Sequence, residues 1–260
     1  MKKLKFVLLF FLSLLANADD SLGQNCTENI QTGFDRGEKL HYVLHYNWGF
    51  IWATAGEVFF ETKDTVFNDT LPGYIFRSHG KSMPNWDWFY PVDSKYESHT
   101  DTMLNPFYFI RKGKEGSHYY NNQYHITRNQ AELIAQDNTG NTTIKIIDLK
   151  DCTFDVMSAI YYCRSIPFEN YQINDTIPLN LILDGEYHQS QLRYTGKSKW
   201  THPETNKTYD CILFKPLLIS GSVFSEGENM TVYVTNDEKK LPVYIVTELK
   251  VGKAKVFLKE

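Results

Sequence analysis

His41 and His45 stand four positions apart in a stretch that alternates along the chain, so both imidazoles fall on one strand face. Two such rings can begin a metal site, with a third ligand brought from elsewhere. Glu38 falls on the other face by parity. Two same-face histidines without a paired carboxylate read more simply as solvent-facing side chains. Asp87, Asp93 and Glu97 stand near Trp86 and Trp88, and two carboxyl groups flanking a sugar are the machinery of glycoside hydrolysis. Acids beside aromatics are common on β surfaces, however, and nothing in the spacing pairs these three. No G-x-S-x-G elbow offers a serine nucleophile, and Ser220-Gly221-Ser222 reads as a turn. The residues support no catalytic assignment, no metal and no cofactor.

The aromatics are the better lead. They make up 15% of the chain, and they gather in two places: Trp48, Phe50 and Trp52, then Trp86, Trp88, Phe89 and Tyr90. Trp48, Trp52, Trp86, Trp88, Phe89 and Tyr90 are the candidate ligand-binding residues. Trp86 and Trp88 share a face if their segment is extended. Such rings line apolar pockets or stack on sugars. Their commoner use is core packing and loop anchoring.

The elements that would position them read as strands. Leu40, Tyr42, Leu44 and Tyr46 alternate with His41, Val43 and His45, which is period two. Strand patterns follow over about 50–62 and 73–82, then 95–103, 106–113, 116–128, 131–137 and 142–149. They resume over about 176–183, 186–197, 208–219, 229–236, 241–249 and 252–259. Asn-, Asp-, Pro- and Gly-rich turns separate them. Gly56 inside the second strand marks a bulge or a close backbone approach, and Asp184-Gly185 is a hairpin signal. One segment breaks the pattern. Over 154–164, Val156, Ala159, Ile160 and Cys163 recur at helical spacing and predict an apolar helix face, with Asp155 near its start and Arg164 at its end. The expected fold is all-β, mainly antiparallel, with one short packed helix, in a single β-rich domain over 25–260.

The N-terminus predicts export. Lys2, Lys3 and Lys5 precede an apolar run from Phe6 to Leu15, and Ala16-Asn17-Ala18 offers a small-x-small cleavage site. Residues 1–24 therefore read as a signal peptide, cut after Ala18 or near Gln24. The apolar run is shorter than a membrane span, so the expected product is soluble, in the periplasm or outside the cell. A chain of formal charge −4 without a basic run makes a poor nucleic-acid binder. Four cysteines, Cys26, Cys152, Cys163 and Cys211, allow three pairings. The expected scheme closes Cys152 with Cys163 and Cys26 with Cys211, with free buried thiols as the alternative.

An ordered series of segments resembles a known family. FDRGEKLHYVLHY at 34–46 is followed by AGEVFFE at 55–61, FYPVDSKYES at 89–98 and NPFYFIRK at 105–112. FDVMSAIYYCR at 154–164, LDGEYHQ at 183–189 and VYVTNDEKKLPVYIVTELKVGKAKVFL at 232–258 complete it. The series resembles the exported bacterial family called domain of unknown function 3108. That resemblance implies a strongly curved sheet or open barrel around the helix, similar to the half-barrels of periplasmic lipoprotein carriers. It also implies structural roles for Gly37, Glu38, Tyr42, Gly56, Pro91, Tyr96, Asp155, Ser158, Tyr161, Arg164, Asp184, Gly185 and Pro242. Arg164 is expected to anchor the helix to a strand carboxylate such as Glu57 or Asp93. The cysteines are not part of the family pattern. Asp-Thr-apolar triplets at Asp64, Asp69, Asp101 and Asp175 resemble the O-glycosylation motif of Bacteroidetes, which points to that origin.

The leading functional expectation is non-enzymatic binding of an apolar or amphipathic, lipid-like ligand. The alternatives are carbohydrate binding or processing through the tryptophans, and an assembly role in which a sheet edge receives a protein partner.

Overall fold

A computed structural model describes residues 31–48, 51–88, 90–217, 227–249 and 252–259. The expected signal peptide, Cys26, Phe89, Ser220-Gly221-Ser222 and the side chain of Trp48 lie outside the described residues. Period-two patterning becomes a long antiparallel meander. Its first strands are β1 Lys39–Trp48, β2 Ile51–Phe67, β3 Leu71–Ser82, β4 Val92–Asp101, β5 Pro106–Glu115, β6 His118–Ile126, β7 Gln130–Gln136 and β8 Thr142–Asp148. Short strands β9 Thr153–Phe154, β10 Thr176–Pro178, β11 Asn180–Leu183 and β12 Glu186–His188 follow. The meander resumes with β13 Gln191–Thr201, β14 Thr208–Pro216, β15 Met230–Thr235, β16 Pro242–Glu248 and β17 Lys253–Leu258.

Fourteen strands form one sheet, in the order β10-β13-β14-β15-β16-β17-β1-β2-β3-β4-β5-β6-β7-β8. The last strand returns to the first: Leu258 lies opposite Tyr42, and Lys253 opposite Asn47. The sheet is curved but not closed, and β10 and β8 are its edges. β9, β11 and β12 make a separate three-stranded sheet. Between Leu44 and His45 the β1–β2 register shifts at Gly56. A Cβ there would lie 2.7 Å from the Lys81 carbonyl oxygen, so the bulge and the close approach to β3 coincide.

The helix α1 spans Val156–Ser165 and is capped by Asp155, whose carboxylate accepts from the Met157 and Ser158 N–H groups at 2.8 and 3.1 Å. It lies against β3 and β4. The apolar stripe of the sequence is not the most buried side. Ile160 is exposed and Val156 and Cys163 are partly so, while Ser158, Tyr161 and Arg164 are fully buried. Hydropathy misreads the face because Ser158 and Arg164 carry hydrogen-bond partners into the core and Tyr161 packs its ring there. Tyr161 stacks on Phe76 of β3 at 3.9 Å, and Phe34 meets Tyr74, Phe76 and Tyr161 edge-on at 5.1, 5.3 and 5.1 Å. Each such pair adds about 0.5–1.5 kcal/mol beyond its buried area. The same core runs on through Phe154, Phe168, Tyr194 and Phe214, so ring packing fills the face that α1 covers.

The cysteines correct the expected scheme. Cys163 and Cys211 are free thiols, and Cys152 is disulfide-bonded. Cys163 therefore does not close a loop with Cys152, nor does Cys211 tie down the N-terminal arm. Each free thiol packs into an apolar cluster. Among the described residues no helix is long and apolar enough to cross a membrane.

Candidate functional site

The aromatic segment after β3 is a tight loop rather than an extended strand. Pro84 starts a short 3-10 turn over Pro84–Trp86. The Trp86 N–H donates to the Met83 carbonyl at 2.8 Å and the Tyr90 N–H to the Trp86 carbonyl at 3.0 Å. Ser82 holds the loop from below: its hydroxyl donates to the Asp87 carboxylate and accepts from the Val92 N–H at 2.9 Å. The Met83 N–H donates to the Ala55 carbonyl at 2.8 Å, which ties the loop to β2.

This loop and the start of β2 enclose an open cleft of about 740 Å³ lined by Ala53, Thr54, Met83, Pro84, Asn85, Trp86 and Trp88. The lining carries no ionisable group. Trp86 meets Tyr46 edge-on at 5.9 Å, and Trp88 is 74% exposed. Of the six expected ligand residues, the structure brings these two together. Trp52 does not line the cleft; its ring lies under the Lys255 ammonium at 4.1 Å. Tyr90 packs instead against Gly116. Met83, Ala53 and Thr54 were not legible as site residues, because only the β2–β3 register brings them to the tryptophans.

The acids near the tryptophans do not join the cleft. Asp93 contacts His79 at 2.7 Å, and Glu97 accepts from Arg77 at 2.6 Å and contacts His99 at 2.7 Å. His41 contacts Glu57 at 3.2 Å and stacks on Phe59 at 4.2 Å, while His45 meets Phe257 edge-on at 5.2 Å. Among the described residues, no group of three His, Cys, Asp or Glu side chains is placed to hold a metal ion.

Most of the motif residues gather at three polar nodes. At the first, Gly37 takes a left-handed φ of +70° at the turn into β1, and Glu38 accepts both terminal nitrogens of Arg164 at 2.5 and 2.9 Å. Arg164 also donates to the Gly33 and Lys239 carbonyls at 2.6 and 3.1 Å. The anchor is thus Glu38, and neither Glu57 nor Asp93, which are held by His41 and His79. Nearby, the Tyr42 hydroxyl donates to the Pro242 carbonyl at 2.9 Å, and burial raises its pKa.

At the second node the Asp155 carboxylate also accepts from Ser98 at 2.6 Å and Ser158 at 2.9 Å; burial raises its pKa against these bonds. At the third, Arg111 donates to Asp184 at 2.5 Å and to Glu115 at 2.9 Å, and its guanidinium lies 3.8 Å from the Tyr120 ring centre. Tyr96 donates to Glu115 at 2.9 Å, and burial raises its pKa. Asp184 and Gly185 both have left-handed backbones, as a two-residue hairpin turn demands. The Gly185 N–H donates to the Tyr124 hydroxyl at 3.1 Å. The Pro91 carbonyl accepts from the Gly116 N–H at 2.8 Å beside this node. Arg111 was missed by sequence reasoning, although it shares strand parity with inward-facing Phe109. All three nodes fasten one element to another.

The fold is similar to that in the crystal structure of a β-barrel-like protein of domain of unknown function DUF1849 from Brucella abortus. The two share 10% identity at a TM-score of 0.55, over 85% of this chain and 95% of that one. Among curated proteins none matches this chain in sequence. The model of the family described as protein of unknown function (DUF3108) matches residues 41–259, and the chain belongs to that family.

Proposed function

We propose that this is an exported, non-enzymatic envelope protein that binds an apolar or amphipathic, lipid-like ligand, and that the cleft between the β3–β4 loop and β2 receives it. The carrying observation is the 74% exposure of Trp88 on a lining without charges. Pockets for such ligands are mostly apolar with a few polar groups, here Thr54 and Asn85. Ring packing across the helix-bearing face argues for the rim of the sheet rather than its interior. The test is the mass of the protein purified without detergent from its own envelope, native and denatured. Extra mass recovered as lipid in an organic extract, and lost in Trp88→Ala, supports the reading. A bare polypeptide whose tryptophan fluorescence is unmoved by lysophospholipid overturns it.

One observation supports a second reading, assembly through a sheet edge. β8 is an edge strand, and Ile144 and Ile146 on one of its faces are 65% and 57% exposed. Protein rather than lipid in the native preparation, released by Ile144→Lys, would favour it.

A further inference from the structure

The two ends of the strands differ in chemistry. Register places the β1–β2 turn, the β3–β4 loop and the β16–β17 turn at one rim: Trp48 pairs with Ile51, Gly56 with Ser82, Asn47 with Lys253 and Glu248 with Lys253. These turns join β16, β17, β1, β2, β3 and β4, which are consecutive in the sheet. This sector of the rim carries Trp52, Met83, Pro84, Trp86 and Trp88. Farther along the same rim, the turns are Gly116-Ser117 and Asp137–Asn141. The opposite rim has Asn68-Asp69-Thr70 and Asn236–Lys240, whereas His202 and Glu204 of the β13–β14 turn line a pocket together with Thr54 and Met83. The exposed tryptophans therefore occupy one sector of one rim.

Charge in that sector is arranged around them. Three acids there are engaged, Glu248 with Lys253 at 2.8 Å, Glu57 with His41 at 3.2 Å and Lys81 at 3.6 Å, and Asp87 with Ser82, while Glu204 lies near His45. Lys255 meets no carboxylate among the described residues. Its ammonium lies over the Trp52 ring and is free to take an external anion.

We infer that this aromatic sector docks on the surface of a lipid bilayer. Tryptophan favours the membrane–water interface, where its ring enters the acyl boundary and its N–H stays hydrated. Lysine beside it meets lipid phosphate. Tryptophan rings that project from a rim suit penetration of a lipid interface better than the broad patch a protein partner covers. The inference goes beyond ligand binding: docking needs Trp52 and Lys255, which do not line the cleft, and proceeds with the cleft empty.

The experiment is sedimentation of the mature protein with vesicles of phosphatidylethanolamine and phosphatidylglycerol. The parent protein is expected to sediment with the vesicles. Lys255→Gln should lower the partition coefficient about fivefold, the effect of one lysine near an anionic surface. Trp52→Ala and Trp88→Ala should lower it at least as far. Tyr119→Ser, at an exposed aromatic on the polar part of the same rim, should leave it unchanged. No sedimentation, or an equal fall in Tyr119→Ser, overturns docking. Unchanged melting temperatures keep the variants comparable. Lysophospholipid titration of Lys255→Gln separates the two readings: response retained with vesicle binding lost means a working cleft on a protein that no longer docks.

Discussion

Arg164 on α1 and Glu38 at the entry to β1 are 126 positions apart and form a two-pronged ion pair, with Arg164 99% buried. The guanidinium has two further carbonyl acceptors, so each of its nitrogens is engaged. Breaking such a pair from one side leaves the other charge buried and uncompensated, a loss of about 3–5 kcal/mol. Glu38→Gln is expected to lose that much in urea unfolding at pH 7. Arg164→Met should lose less, because Glu38 is nearer solvent and can rehydrate. The double variant should be more stable than the sum of the single losses implies. Additive losses would mean that the two residues act separately.

His45 carries a pH dependence. Burial lowers its pKa below the ordinary imidazole value of 6.5, so the unfolded chain takes up a proton before the folded one does. Stability should therefore be full above about pH 6.5 and fall as the pH drops through that value toward the folded pKa. Nearby His202 accepts at Nδ1 from the Glu204 and Thr205 N–H groups at 3.2 and 3.3 Å, which places its proton on Nε2, facing the Leu258 carbonyl. The urea midpoint of the parent should fall between about pH 7 and 5, and His45→Gln should reduce that fall. An unchanged pH profile in His45→Gln would remove His45 from the account.

Most of the sheet was legible because half-buried strands write their period directly into the chain, as the alternation from Leu40 to Tyr46 does. The helix was legible in place but not in orientation. Val156, Ala159, Ile160 and Cys163 carry the hydropathy signal, whereas Ser158, Tyr161 and Arg164 carry the burial. What separates them is whether a buried polar group finds a partner: Ser158 donates to Asp155, which Ser98 also reaches from β4, and Arg164 pairs with Glu38, and both Ser98 and Glu38 stand far away in sequence. For the same reason the carboxylate that receives Arg164 could not be chosen by spacing. The cleft was half legible: the tryptophans could be named, but Pro84 turned the segment out of the extended form that would have aligned them.

The free thiols predict a labelling pattern. Burial pushes the Cys163 thiol up to about 12 and the Cys211 thiol to about 11. Thiolate is the reactive form, so both should resist iodoacetamide at neutral pH in the native protein. Mass spectrometry should find them alkylated once urea unfolds the chain, and Cys152 only when a reductant is also present. Native labelling of Cys163 would show that α1 opens.

Asp155 tests whether a buried node needs charge or only hydrogen-bond geometry. Its carboxylate accepts two backbone N–H groups at one oxygen and the Ser98 and Ser158 hydroxyls at the other. Removing it takes away the helix cap, about 0.5–2 kcal/mol, and leaves buried donors unsatisfied at about 1–3 kcal/mol more. Asp155→Ala should therefore lose about 3 kcal/mol in urea unfolding. Asp155→Asn keeps an acceptor for the cap, and the serine hydroxyls can rotate to accept from the new amide. It also removes a charge whose burial raises the pKa. That upward shift means the folded state holds the proton more tightly, so this group's contribution declines as pH rises above the ordinary aspartate value of 3.8 toward its folded pKa. Asp155→Asn at neutral pH should stay within about 1 kcal/mol of the parent protein, since the lost charge–dipole attraction is offset by easier desolvation. A loss in Asp155→Asn as large as in Asp155→Ala would show that the node depends on the ionised carboxylate, with Ser98 and the N-terminus of α1 bound through its charge.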